Sequence, residues 1–281
     1  MTATPLRKAL LTALGALVAV LFVAPYLQML ITALTPDSEL YSIPARYLPS
    51  RLEFSNLVDV WVEAPLWDYL VSSLVIAGFA TLLALAVALP AAYYTARYRY
   101  RGRTLFMLLV LVTQMFAPTA LVIGIYREFV SIRDIVPAAG VDTYVSLILV
   151  NAAFNLAFST WIMVAYFSTI PVELEEAAAI DGATRLGVLR RVTLPLALPG
   201  IVTATIFTFI AAWNEFVVAL TLAQSPRIKP LTVGVTVFIG QYRVEWQYLF
   251  ASAVIAIVPV VVLFIVIERW LVSGLTAGGV K

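Results

Sequence analysis

Cysteine and histidine are both missing from this 281-residue chain. Their absence removes zinc sites built on those ligands, thiol nucleophiles, disulfides, and Ser-His or Cys-His catalytic pairs. Lysine is scarce: Lys8, Lys229 and Lys281 are the whole set, and none follows a glycine. A P-loop needs a Gly-Lys pair, so this chain does not bind ATP in that manner. Charged residues are few, 12% against 62% hydrophobic, and the mean hydropathy is +0.98. That composition specifies a polytopic membrane protein rather than a soluble domain. The net charge of +2 says little; its distribution says more.

Six segments are long and apolar enough to span a bilayer: about 10–34, 70–96, 104–126, 144–167, 199–222 and 248–271. Each exceeds the roughly 20 residues that cross the hydrocarbon core. The expected fold is an all-α, six-span membrane protein in a single transmembrane domain, 1–281. The first segment follows Arg7-Lys8 as a signal peptide would, but it outruns a signal h-region and is expected to stay as an anchor. With the N-terminus inside, the inner segments hold Arg7, Lys8, Arg97, Arg99, Arg101, Arg103, Arg185, Arg190, Arg191, Arg269 and Lys281. The outer segments hold Arg46, Arg51, Arg127, Arg133, Arg227, Lys229 and Arg243. The asymmetry predicts both termini in the cytoplasm, and the loop RYRYRGR, Arg97 to Arg103, is its strongest indicator. Residues 35–69, with Pro44, Pro49, Trp61 and Trp67, predict short interfacial helices. Residues 127–143 read as a short connection and 223–247 as a polar, aromatic, hairpin-like excursion. Pro25, Pro90, Pro118 and Pro259 are expected to kink their helices.

The loop 168–198 is the most informative segment. Glu173, Glu175 and Glu176 follow Pro171, which suits the first turn of a helix, where carboxylates oppose the positive end of the dipole. Ala177 and Ala178 give a face with little bulk, open to close approach by another protein. Asp181-Gly182 predicts a helix end in which Gly adopts the left-handed cap conformation. A second short segment, Ala183 to Val192, carries Arg185, Arg190 and Arg191, and Leu194-Pro195 is expected to break it. The spacing of Glu176, Ala177, Ala178, Gly182, Val192, Leu194 and Pro195 resembles the EAA loop of ABC-importer permeases, with Val192 standing where the family usually has Ile. In that family the loop is a cytoplasmic coupling helix that docks into a cleft of a separate ATPase subunit. The resemblance thus assigns ATPase coupling to Glu176, Ala177, Ala178, Asp181, Gly182, Leu194 and Pro195. It agrees with the charge asymmetry, which independently puts this loop in the cytoplasm.

The fifth segment contains Trp213-Asn214-Glu215. A charged side chain at mid-bilayer costs about 2.5–3.5 kcal/mol on insertion scales, so Glu215 should face water or a partner. By helix rise, Glu215, Asn151 and Thr119 fall about 10 Å below the outer mouth, with Asn155 one turn beyond Asn151. These residues are candidates for a substrate pathway: an indole for sugar C–H faces, amides and a carboxylate for hydroxyls. Their alternative role, nearest at hand for Asn151 and Asn155, is bonding between helices.

A Trp-Asn-Glu-Phe run about twenty residues after the EAA-like loop resembles carbohydrate-type permeases, specifically the MalG-like member of such pairs. The tail GLTAGGVK, Gly274 to Lys281, resembles that subfamily too; Ser72-Ser73-Leu74 departs from its frequent Asn-Ser-Leu. The resemblance implies a permease subunit of a sugar importer in a bacterial or archaeal cell membrane. Its implied partners are a second, non-identical permease, two cytoplasmic ATPase subunits and an extracytoplasmic sugar-binding protein, with membrane lipid around it and no nucleic acid. No cofactor is expected on this chain; ATP and Mg belong to the ATPase subunits. Alternative cargoes are a polyol, an amino sugar or a glycerol-phosphate ester. An ion-coupled secondary transporter would explain Glu215 but not the loop.

Overall fold

The computed structural model describes residues 5–44 and 46–277. Among them there is no strand, only one isolated antiparallel bridge between Ile239 and Val244. The helices in chain order are α1 (Pro5–Ala33), α2 (Asp37–Leu40), α3 (Asn56–Glu63), α4 (Leu66–Arg97), α5 (Arg103–Thr113), α6 (Pro118–Ile135), α7 (Tyr144–Thr169), α8 (Val172–Ile180), α9 (Arg185–Val188), α10 (Leu194–Leu196), α11 (Leu198–Trp213), α12 (Val217–Leu222), α13 (Leu231–Gly234) and α14 (Trp246–Ala277). Of the tail GLTAGGVK, 278–281 lie outside the described residues.

Four stretches are long and apolar enough to cross a bilayer alone: Ala9–Ala33, Leu66–Arg97, Tyr144–Thr169 and Trp246–Val266. Two pairs qualify only together: α5 with α6, bent by 94°, and Arg185–Leu196 with α11, bent by 73°. Counting each pair once gives six spans. The expected third span, 104–126, is therefore not a single rod, and the expected fifth, 199–222, begins just after a sharp bend and divides between α11 and α12. The third breaks before Pro118 because the residue preceding a proline is pushed out of the α region; Ala117 is extended at φ −67°, ψ 132°. Pro25, Pro90 and Pro259, by contrast, lie inside helices that continue past them. Leu194-Pro195 does not break its segment either. Leu189–Thr193 is a π-helical turn in which the Leu194 N–H reaches Leu189 O, and Pro195 then falls in the first turn of α10, where a missing N–H is tolerated.

The chain divides into two compact units. The first holds 5–66 and Val235–Val258. Its α1 is apolar all round and its spanning window is wholly exposed within the chain, so lipid or another subunit must cover it. As the sequence predicts, short helices fill the segment after α1. Asn56 anchors them, its amide donating to the carbonyls of Ala33 (3.0 Å) and Thr35 (3.2 Å). Arg243, within the turn closed by the Ile239–Val244 bridge, pairs with Asp37 and lies over the Tyr41 ring.

The second unit, Trp67–Gly234 with 259–277, contains the spans that pack on one another. Ala77, Ala80, Ala84, Ala88 and Ala92 of α4 recur at helical spacing and are all essentially buried, while Phe79, Leu82 and Val87 are exposed. Small residues let helix backbones approach closely where no water-driven force brings them together. α7 packs mainly on α11, where Gly200 lies against Tyr166: a Cβ at Gly200 would sit 2.3 Å from the ring. Ser159 and Thr208, both buried, bond to each other at 2.7 Å across the same contact. One apolar core gathers Leu147, Val150, Val218 and Leu222; a second, toward the other end of α7, gathers Met163, Phe167, Ala197 and Ala204.

Candidate functional site: the α8 loop and the break beside Glu215

α8 starts after Pro171, carries Glu173 and Glu175 in its first turn, and ends with Asp181 as C-cap. Gly182 follows at φ +86°. The Gly182 N–H donates to Ala179 O (3.1 Å) and the Ala183 N–H to Ala178 O (3.0 Å), which together form a Schellman motif. No neighbour lies within 4 Å of where a Gly182 Cβ would be, so the glycine is required by backbone conformation and not by space. Thr184 then caps α9, its hydroxyl accepting from the Gly187 N–H at 3.2 Å.

The outward face of α8 shows Leu174 (45% exposed), Ala177 and, at its end, Ile180 (86%), with Leu186 exposed just beyond. Glu173 and Glu176 flank that face in the open. Ala177 is thus available for close approach, as the sequence predicts. Ala178 is half-buried and turns toward the chain's own body, because it shares the inward stripe with Glu175 at i, i+3 spacing. Leu194 is half-buried against the lower core, and Pro195 is exposed.

Glu175 is the residue that sequence reasoning missed; it was read only as a first-turn acid. Its Oε1 accepts from Arg97 Nε (2.8 Å) and from the Thr193 hydroxyl (2.8 Å), and its Oε2 from the Tyr93 hydroxyl (2.9 Å). The Arg97 and Glu175 side chains are only 6% and 11% exposed. A small pocket of about 220 Å³ lies beside them, lined by Tyr98, Glu176 and Arg185 among others. One signal was present in the sequence: Arg97 ends an apolar span, so its guanidinium must find an acceptor nearby.

Glu215 sits at a break between α11 and α12. Its carboxylate accepts from the backbone N–H groups of Val218 (2.8 Å) and Ala219 (3.0 Å), the orphan donors of the first turn of α12. Glu215 thus caps α12 at the point where the expected span 199–222 divides. Thr232 donates its hydroxyl to Glu215 O at 2.9 Å and pins the break. Asn214 is exposed. Trp213 is 4% exposed and stacks on Phe209 at 5.7 Å, so its ring packs inside the chain rather than presenting an open face for a sugar.

Asn151 and Asn155 bond within α7, donating to Leu147 O (2.9 Å) and Asn151 O (2.8 Å). The Asn151 side-chain oxygen is buried without a hydrogen-bond partner. Thr119 is exposed in the first turn of α6, just past the 94° bend. The side-chain hydrogen bonds of Asn151 and Asn155 therefore stay within α7 and do not tie the belt together. Ser72 and Ser73 hold the segment after α12: Ser72 bonds to Tyr144 (2.8 Å) and Arg227 O (3.2 Å), and Ser73 accepts from the Leu231 N–H (2.7 Å).

Residues 84–276 match the family model described as binding-protein-dependent transport system inner membrane component. The chain belongs to this family. It is an ABC-transporter permease, a multi-pass membrane subunit that transports; ATP hydrolysis resides on partner subunits. Among curated relatives, the trehalose/maltose transport system permease MalG of Thermococcus litoralis is 34% identical over 278 residues, covering 98% of this chain and 97% of that one. The sulfoquinovosyl glycerol transport system permease SmoH of Agrobacterium fabrum is 34% identical over 257 residues, covering 92% of this chain and 88% of that one. The fold matches a bacterial ABC transporter that imports the acidic polysaccharide alginate, with TM-score 0.78 and 22% identity, covering 96% of this chain and 99% of that one. A second alginate transporter structure, in complex with a pentasaccharide-bound periplasmic protein, matches with TM-score 0.67 and 17% identity over 94% of each chain.

Proposed function

We propose that this chain is one permease half of a carbohydrate importer and that α8 is its coupling helix. The observation that carries the reading is the outward face of α8: Leu174, Ala177 and Ile180 stand exposed on a helix closed by Gly182. An apolar face on a short loop helix fits a cleft on another protein. Two cytoplasmic ATPase subunits, a second non-identical permease and an extracytoplasmic sugar-binding protein complete the assembly. ATP and Mg are held by the ATPase subunits, and this chain holds no cofactor. Sugar is favoured as cargo by the likeness to permeases named for trehalose/maltose and sulfoquinovosyl glycerol.

The translocation path runs past the break at Glu215. Asn214 and Glu215 line it, Thr119 approaches it from the bend before α6, and Trp213, Asn151 and Asn155 support it from within the fold. ATP-driven closure of the ATPase pair moves α8 and rocks the spans between inward-open and outward-open states.

Native co-purification of the complex, followed by a ligand screen on its binding protein, tests the assembly and identifies the cargo. Recovery of the chain without an ATPase subunit sinks the reading. The orientation has its own test, made clean by the absence of native cysteine. Cysteines replacing Arg101 and Thr184 label only from the cytoplasmic side, and one replacing Ser225 only from outside. Labelling of the Thr184 position from outside in intact cells rejects both the orientation and the coupling role.

A further inference from the structure

Glu175 joins three elements through one carboxylate: α8 by its own backbone, α4 through Tyr93 and Arg97, and the π-helical turn through Thr193. A buried ion pair is a weak source of stability, because desolvation offsets most of the attraction. Its placement offers another reason for it. α8 is nine residues long, and its inward stripe presents only Glu175 and Ala178. A push received on the outward face therefore reaches α4 chiefly through Glu175, since Ala178 offers a methyl group alone.

The Arg97 end adds a second observation. Its Nη2 is buried and has no hydrogen-bond partner. Nε and one Nη of a guanidinium form a fork that can take both oxygens of one carboxylate. Here Glu175 uses Nε alone and gives its other oxygen to Tyr93. The carboxylate can turn from Tyr93 to the unused donor while staying bonded through Nε, so α8 can tilt against α4 without the joint coming apart.

We propose that Glu175 and Arg97 are the positioning pair that delivers movement of the coupling helix to α4. The inference rests on α8 being the docking helix of an ATP-driven permease. It is tested on the whole purified complex in nanodiscs, with a reporter cysteine replacing Asp68, an exposed residue of the first turn of α4 at the opposite end from Arg97. The probe is a maleimide that retards this subunit on a gel, and its labelling rate is read without nucleotide and with MgATP plus vanadate.

In the otherwise native chain the rate differs between the two conditions by at least about fivefold, the lower end of ordinary coupling free energies. With Glu175→Gln the complex still contains the ATPase subunits and still hydrolyses ATP, because the outward face of α8 is unchanged, but the rate difference disappears. Arg97→Lys, which keeps the charge but not the fork, reduces the difference; Tyr93→Phe, which frees the carboxylate for the fork, preserves it. A nucleotide-dependent difference that survives Glu175→Gln overturns the proposal. So does an absence of any difference in the native background, or failure of both Glu175→Gln and Arg97→Lys to assemble, which makes the pair a folding element. A native complex without ATPase subunits or ATP hydrolysis instead contradicts the docking role of α8.

Discussion

Glu175 and Glu215 are both acids with both oxygens engaged, yet they are held in opposite ways. Glu175 takes side-chain donors from two other elements and so ties helices to one another. Glu215 takes two backbone N–H groups from the helix that follows it and so caps the break that divides one span into two. The first arrangement transmits displacement, since moving α8 moves what Glu175 holds. The second absorbs it, since a break pinned by Thr232 is where a span can change direction. An acid in an apolar chain thus has no single meaning; its donors decide what it does.

The comparison breaks most easily at Glu175. Glu175→Ala leaves the Arg97 guanidinium buried without its carboxylate, a loss of roughly 3–5 kcal/mol when one partner of a buried pair is removed. The expected result is a marked fall in recovered, assembled complex and in its thermal unfolding temperature. Arg97→Met with Glu175→Leu removes both charges and recovers much of that stability, while coupling stays lost. Equal stability of Glu175→Ala and the native chain would show that the pair is solvated and its geometry incidental.

Glu215 is expected to cost less. Glu215→Ala orphans two N–H groups at the start of α12, on the order of 1–2 kcal/mol by the measure of helix caps. Glu215→Gln keeps one acceptor of the two and falls between, near the ~1 kcal/mol of a single hydrogen bond. Uptake normalised to assembled complex separates capping from substrate contact. A pure cap lowers the amount of complex with transport per complex retained; a pathway residue lowers transport per complex, more in the Ala variant than in the Gln variant.

Much of this was legible in the sequence, and the gaps have physical causes. Hydropathy pointed to the apolar helices because length and apolar content are properties of a segment alone. It could not foresee the breaks. Pro118 was read as a kink, yet whether a proline bends or ends a helix depends on whether its neighbours can hold the preceding residue extended. Pro90, in the middle of α4, lies in a helix that continues past it. Gly182 was legible because only a glycine takes its backbone angle cheaply. Ala178 is half-buried beside Glu175, a direction that two adjacent alanines do not reveal. Trp213 was legible as a large aromatic near an acid, but its direction is set by Phe209 and the packing of α11. Glu175 was invisible as a hub because its partners lie 78, 82 and 18 positions away.

The two helix ends can also be compared through Gly182. α8 is closed by backbone alone, so the cost of a side chain there is conformational. Gly182→Ala is expected to cost about 1–2 kcal/mol for the left-handed angle, and a β-branched residue more. The chain still inserts, because the spans are untouched, but ATPase attachment weakens, as measured by co-purification. Full attachment and coupling in Gly182→Val would mean that the shape of this turn is unimportant to docking.

The smallest effect sharpens the comparison by taking it outside the spans. Glu39, in α2, also has both oxygens engaged: one takes the Ser50 backbone N–H at 2.9 Å and the other the Ser50 hydroxyl. It is half-buried, outside the spans, and the Ser50 hydrogen bonds hold its carboxyl below the ordinary carboxylate value. A carboxyl whose folded value lies below its unfolded value contributes stability that is complete above the unfolded value and is lost as pH falls through the folded one. Amides in residues 37–50 should therefore be protected from hydrogen exchange at neutral pH and lose protection as pH falls through and below the usual carboxylate range. That comparison needs correction for the intrinsic pH dependence of exchange. Ser50→Ala should lower protection at neutral pH and abolish most of the further acid loss. If the acid loss persists in Ser50→Ala, the responsible carboxylate is another, with Asp37 in its pair with Arg243 the next to test. Either way the effect stays local, because an acid bonded within its own loop neither ties spans together, as Glu175 does, nor caps the break in one, as Glu215 does.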